Sequence, residues 1–167
     1  MKKTVAVIGS LVFLVIAPGF VTGLIPWWLC QWQMKTPFFG FTFVRIVGVV
    51  LFVPGAIGLL DSFARFPLQG LGTPSPVLPT KHLVVTGLYR YVRNPMYVAV
   101  ASLIFGQGLF FGSPRVLEYG CVVCLLFHLF VLLYEEPTLK ASFGEEYKTY
   151  CSYVRRWLPR LTPWKMD

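Results

Sequence analysis

Residues 95–134 read PMYVAVASLIFGQGLFFGSPRVLEYGCVVCLLFHLFVLLY. Two apolar runs, 95–112 and 116–134, are separated by only Ser113-Pro114-Arg115. Each run is about as long as a helix needs to cross a hydrocarbon core of roughly 30 Å. Lipid cannot satisfy open backbone groups, so helices are the economical spanning structure. A three-residue link between two spans predicts a tight antiparallel hairpin. The hairpin opens on Asn94-Pro95, a strong helix-start signal. An Asn side chain accepts from a free backbone amide, and proline suits the first helical position.

Two further apolar stretches, 5–28 and 41–60, complete a set of about four spans. The first begins after Met1-Lys2-Lys3, as a secretory leader does. Its length and the Trp27-Trp28 pair at its end predict a retained helix instead. The composition agrees. Over the 167 residues, 56% are hydrophobic and 13% charged, which excludes a disordered chain and leaves too little polar surface for a soluble globule. The expected fold is an all-α, multi-pass membrane helical bundle with an amphipathic C-terminal helix. It forms a single membrane domain over 1–167: an N-terminal helical pair (1–66), a cytoplasmic loop (67–94), the hairpin (95–134) and a cytoplasmic helix and tail (135–167).

The net charge is +8. No long basic cluster is present, so the charge points to anionic headgroups and cytoplasmic segments rather than to nucleic acid. With the N-terminus inside, 12 of the 15 Lys and Arg residues fall on the cytoplasmic side; the exceptions are Lys35, Arg45 and Arg115. Both termini and both long polar segments, 61–94 and 135–167, are then expected on one face of a membrane, compatible with a bacterial inner membrane. Two segments that meet on one face are what a site requires.

Within the first polar segment, residues 67–80 hold four prolines and two glycines and read as a loop. Leu83-Val84-Val85 could lie on the membrane surface. Arg93 stands at the start of the third span, either as an ordinary snorkelling arginine or as part of an anion site at a helix N-terminus. In the tail, Leu139, Phe143, Tyr147, Tyr150, Val154, Trp157 and Leu158 recur every three or four residues, which predicts an amphipathic helix ended by Pro159. It would serve as an anchor or as a lid. Cys121, Cys124, His128 and Glu135 fall near one face of the fourth span. Two cysteines and one histidine in lipid make a poor metal site, so an interior histidine with its hydrogen bonds satisfied is expected, and no metal. Glu135-Glu136 follow the span directly. Adjacent carboxylates at a helix C-terminus oppose its dipole, so a cationic or hydroxyl-rich ligand explains them better than local stability does.

Tyr89-Arg-Tyr-Val-Arg93-Asn-Pro-Met-Tyr97 resembles the R-H-P-x-Y signature of the isoprenylcysteine carboxyl methyltransferase and phospholipid methyltransferase group. Glu135-Glu-Pro-Thr-Leu139 and Phe143-Gly144-Glu-Glu-Tyr147 resemble its second block, E-E-x-x-L followed by F-G-x-x-Y. The resemblance covers about residues 78–159. It implies an integral-membrane methyltransferase that uses S-adenosyl-L-methionine on a lipophilic or lipid-modified acceptor. Carried over by position, it implies cofactor contacts at Lys81, His82, Leu83, Val84, Tyr89, Asn94, Pro95, Met96, Tyr97 and Glu135, with Glu136 completing the acidic pair. The residue chemistry is consistent. Glu135 can accept from an ammonium or from ribose hydroxyls, Tyr89 and Tyr97 offer aromatic faces to a cation, and Arg93 opposes a carboxylate. Methyl transfer is an in-line displacement that rests on positioning and needs no nucleophilic side chain, so the cysteines are expected to be non-catalytic.

Two departures bear on the acceptor. Asn94 stands where many members of the group carry histidine, which removes any proton transfer by that residue. Val131-Leu-Leu-Tyr134 stands where the eukaryotic isoprenylcysteine enzymes carry a substrate-directed arginine. A lipid amine, an isoprenoid or another membrane-dissolved nucleophile therefore competes with a prenylcysteine carboxylate. Two other readings compete with the methyltransferase: an NADPH-dependent membrane reductase of the sterol-reductase type, and a non-catalytic membrane subunit that keeps the fold.

Overall fold

The computed structural model describes residues 3–65 and 83–165. The loop expected at 67–80, and Lys81 and His82 with it, lies outside the described residues. No strand occurs among the described residues. The helices are α1 (Lys3–Gly19), α2 (Ile25–Cys30), α3 (Phe43–Arg65), α4 (Pro95–Phe111), α5 (Pro114–Phe130) and α6 (Glu136–Tyr153). Short 3-10 turns lie at Phe38–Gly40 and Gly87–Arg90. Two five-residue π-helical turns, Phe20–Leu24 and Val131–Glu135, join α1 to α2 and α5 to α6 without a break. The protein is thus an all-α bundle. Three of its helical stretches are long and apolar enough to cross a membrane, and α4 is apolar and slightly shorter. Large side chains face outward as lipid-bathed helices require: Val15 is 72% exposed and Phe43 68%.

Both π turns have the same local cause. Each precedes a proline, Pro26 or Pro137, which lacks an N–H and whose ring crowds the carbonyl four residues back. Widening the turn relieves the clash and frees carbonyls that cannot be left bare in lipid. At the first turn their partners come from across the bundle. Gln107 Nε2 donates to Thr22 O at 2.7 Å, and Tyr119 Oη donates to Val21 O at 3.0 Å. The first apolar segment is therefore tied into the bundle by buried hydrogen bonds as well as by the stacked Phe13 and Phe63 rings.

The central helix is α4, packed between α3 and α5. Its seat on α3 is a backbone-to-backbone approach at Gly48 and Gly106. The expected hairpin is present. Gly112 takes a left-handed conformation (φ 68°, ψ 38°), and Pro114 starts α5 at its first turn. A side chain at Gly112 would also strike Thr36 O, so only glycine closes this end of the bundle.

The tail differs from the sequence expectation. The amphipathic helix ends at Tyr153 rather than near Pro159, and Val154 is extended. The following residues abandon helical hydrogen bonds for partners on the segment before α4. Arg93 N donates to Arg155 O at 2.9 Å, Arg160 N to Tyr91 O at 2.9 Å, and Trp164 N to Arg90 O at 3.0 Å. Local periodicity loses here to long-range pairing. Leu83 and Val85 pack against the cluster of Tyr147, Tyr150 and Val154.

Candidate functional site

The expected convergence of the two polar segments is present. The segment before α4, the start of α4, the α5–α6 junction and the tail meet at one end of the bundle. Tyr97, in the first turn of α4, donates its hydroxyl proton to Glu135 Oε2 at 2.7 Å. Beside it Arg93 Nη1 lies 3.1 Å from Glu136 Oε1, and Arg156 binds the same carboxylate through Nε at 2.7 Å and Nη2 at 3.0 Å. Arg93 Nη1 also approaches Cys151 Sγ at 2.8 Å. The two adjacent acids therefore differ in kind. Glu136 is buried and saturated by two guanidiniums, while Glu135 faces Tyr97 and lines a cleft.

The electrostatics follow the partners. The apolar run of the fourth expected span ends at Tyr134, and both acids follow it in sequence. Burial pushes the Glu135 carboxyl above the usual range, and the charge of Glu136 adds to this while the Tyr97 hydroxyl opposes it. For Glu136 burial also acts upward, but the hydrogen bonds from Arg156 and the charges of Arg93 and Arg156 outweigh it and hold the carboxyl low. The folded value thus lies below the unfolded one. The stabilisation is complete above the unfolded value of about 4.3 and is lost as pH falls through the lower folded value. Limited proteolysis of the tail should report release only in that acid range; release already at pH 6 would contradict the pairing.

Asn94 differs from expectation. Its side chain does not cap α4; Nδ2 donates instead to Arg156 O at 3.2 Å, stitching the tail to the helix start. Pro95 does occupy the first turn. Tyr89 is buried, and its carbonyl accepts the Tyr150 hydroxyl at 2.6 Å. Met96 packs against the α3–α4–α5 core. Leu83, Val84, Tyr89, Arg93, Asn94 and Glu135 share one small cleft, closed by Leu139, Tyr147 and Tyr150. Arg93 is thus neither a free snorkelling side chain nor an isolated anion site: it lines this cleft while pairing with Glu136.

Two participants, Arg156 and Tyr150, carry no sign of their role in the sequence. Arg156 carries no local signal, because its partner lies 20 residues away across a helix. Tyr150 had been read only as part of an apolar stripe. His128 was expected to be satisfied in the interior. It is so at one nitrogen: Trp157 Nε1 donates to His128 Nδ1 at 3.1 Å. No group of metal-ligating side chains occurs among the described residues.

A second, larger cavity of about 480 Å³ lies on the other side of the Tyr97–Glu135 hydrogen bond. Tyr97 lies on its wall with Val98, Ala101 and Phe105 of α4, Phe127 and His128 of α5, and Trp157 of the tail. It runs from Tyr97 and Trp157 into the apolar body of the bundle.

No solved structure matches the chain. An uncharacterized protein of Haemophilus influenzae is 30% identical over 63 residues, which are 38% of this chain and the whole of the other. The family model described as phospholipid methyltransferase matches residues 43–146, from the start of α3 to the middle of α6. That stretch is more than half of the sequence and contains the first motif block, the hairpin, the Tyr97–Glu135 contact and all of the second block except its final Tyr147, so the chain belongs to the phospholipid methyltransferase family.

Proposed function

We propose that this protein transfers a methyl group from S-adenosyl-L-methionine to a lipophilic acceptor dissolved in the bilayer. One observation carries the reading: the Tyr97–Glu135 hydrogen bond stands between a small cleft that holds Arg93, Asn94 and Glu135 and a large, almost wholly apolar cavity. A polar methyl donor and a greasy acceptor need adjoining compartments of opposite character. The donor set of the cleft fits the cofactor. Glu135 offers a carboxylate to ammonium or hydroxyl groups, Arg93 a guanidinium to a carboxylate, and Tyr89, Tyr147 and Tyr150 aromatic surface to an adenine or a sulfonium. The described walls enclose about 70 Å³, below the few hundred Å³ of ordinary small-molecule sites, so binding requires the cleft to widen.

When bound, the cofactor supplies an electrophilic methyl on a sulfonium. The protein's share is positional. Tyr97 and Glu135 set the boundary at which the two reactants face each other. The Tyr97, Phe127 and Trp157 rings, with centroids 4.7 and 6.5 Å from that of Tyr97, exclude water from it. Glu136, Arg93 and Arg156 hold the tail across the junction. In this reading Glu136 acts as a clasp, and Glu135 touches the cofactor. Lys81 and His82 remain proposed contacts from the flanking segment.

Calorimetry with S-adenosylhomocysteine in detergent tests the cleft. Glu135→Ala and Tyr97→Ala should each weaken binding about tenfold or more, in line with the loss of a charge-assisted contact. Wild-type affinity in both variants would remove the proposed site. NADPH binding in place of S-adenosylhomocysteine would favour a reductase, and binding of neither would favour a non-catalytic subunit. Labelled methyl donor with a membrane lipid extract then identifies the acceptor.

A further inference from the structure

Two polar side chains on the wall of the large apolar cavity have a group with no hydrogen-bond partner among the described residues: the weakly polar thiol of Cys124 and, more strongly polar, one ring nitrogen of His128. Ser102 Oγ donates back to Val98 O at 2.9 Å. The Tyr97 hydroxyl is taken by Glu135, and the Trp157 indole N–H by His128. An indole N–H only donates, so the His128 Nδ1 that receives it carries no proton. The imidazole proton is therefore on Nε2, which has no partner among the described residues. An unmatched donor in an apolar wall is costly in lipid unless a ligand meets it.

The sign of this group is informative. An N–H at that position favours an oxygen that accepts a hydrogen bond, and competes for the lone pair of any amine placed there. Its depth is informative too. His128 precedes Glu135 by seven residues, which puts it about 10 Å further into the bilayer. The reactive end of the acceptor belongs at Tyr97 and Glu135, so His128 reads a second feature of the same molecule.

We infer that His128 Nε2–H binds an ester carbonyl oxygen of a glycerolipid acceptor whose headgroup reaches the Tyr97–Glu135 boundary. The inference rests on the proposed methyltransferase reading and deepens it. Glycerolipids carry carbonyl oxygens a comparable distance below the headgroup, whereas a plain prenyl chain has none. Trp157 is the positioning residue. It selects the tautomer, and it is held at the cavity by the pairing of Arg156, next to it in sequence, with Glu136 and by the backbone bonds of the tail to the segment before α4.

The test compares the purified full chain in detergent with ester-linked and ether-linked phosphatidylethanolamine of equal chain length, with S-adenosylhomocysteine binding as a separate arm. The wild type should bind the ester form about fivefold more tightly, as one hydrogen bond warrants. His128→Phe should abolish that preference, leaving S-adenosylhomocysteine affinity unchanged because His128 does not line the cleft, while His128→Gln, which keeps an N–H donor, should retain it. Equal affinity of the wild type for the two lipids, binding of neither, or persistence of the preference in His128→Phe would each overturn the inference. Should His128→Phe fail to fold, the wild-type preference decides the matter by its presence or absence. Loss of the cofactor arm with the ester preference intact would sink the methyltransferase reading and still support this lipid contact.

Discussion

Gly106→Leu is expected to separate α4 from α3 and to cost more stability than any other single change in the membrane core. A Cβ at Gly106 would stand 2.8 Å from Gly48 O and 2.9 Å from Phe52 N; one at Gly48 would stand 2.7 Å from Gly106 O and 2.8 Å from Phe110 N. The obstacles are mainly backbone atoms of the facing helix, which no rotamer change removes. Overpacking a well-filled core ordinarily costs about 1–3 kcal/mol. A leucine against backbone belongs at or above the top of that range, and Gly106→Ala lower within it. Because α4 carries Tyr97 and Asn94, the displacement should also loosen the site at its other end. Unfolding in a mixed-micelle titration with dodecyl sulfate measures the first effect. A leucine variant with a wild-type midpoint would show that the two helices do not approach this closely.

Glu136→Ala is expected to undo the tail. The carboxylate is 7% exposed as a residue and serves two guanidiniums, of which Arg93 is itself only 13% exposed at its side chain. Removing one partner of a buried pair typically costs about 3–5 kcal/mol, mostly through the charge left behind. Arg156 is more exposed than Arg93, which places the expected loss toward the lower end. The structural consequence should exceed the energetic one. Residues 154–165 should become open to protease, and the Trp157 indole should leave His128. Glu136→Gln keeps an acceptor and should be milder. A tail that stays protected in Glu136→Ala would mean that the backbone bonds to residues 90–93 suffice to hold it.

Much of the architecture was written locally. Asn94-Pro95, Gly112 and Ser113-Pro114 mark the hairpin because φ preferences and missing N–H groups act within a few residues. The spans are legible because lipid demands long apolar runs of helix. Within the candidate site the acids and the tyrosines were visible as residue types at a motif spacing. Their separate jobs were not, since Glu135 and Glu136 are neighbours with the same chemistry. The one-residue register change of the π turn at Val131–Glu135, forced by Pro137, helps send Glu136 to the arginines and Glu135 to Tyr97.

Helix content, the long apolar spans and the α4–α5 hairpin followed from residues close together in the chain, where sterics, missing donors and hydropathy operate without reference to anything distant. The end of α6 at Tyr153, the pairing of Arg156 with Glu136 and the entry of Trp157 into the apolar cavity depended on partners 20 to 74 residues away. Such contacts form only once the bundle has brought those surfaces together, because a backbone amide or a guanidinium takes whichever acceptor the assembled fold presents and carries no mark of it in its own neighbourhood.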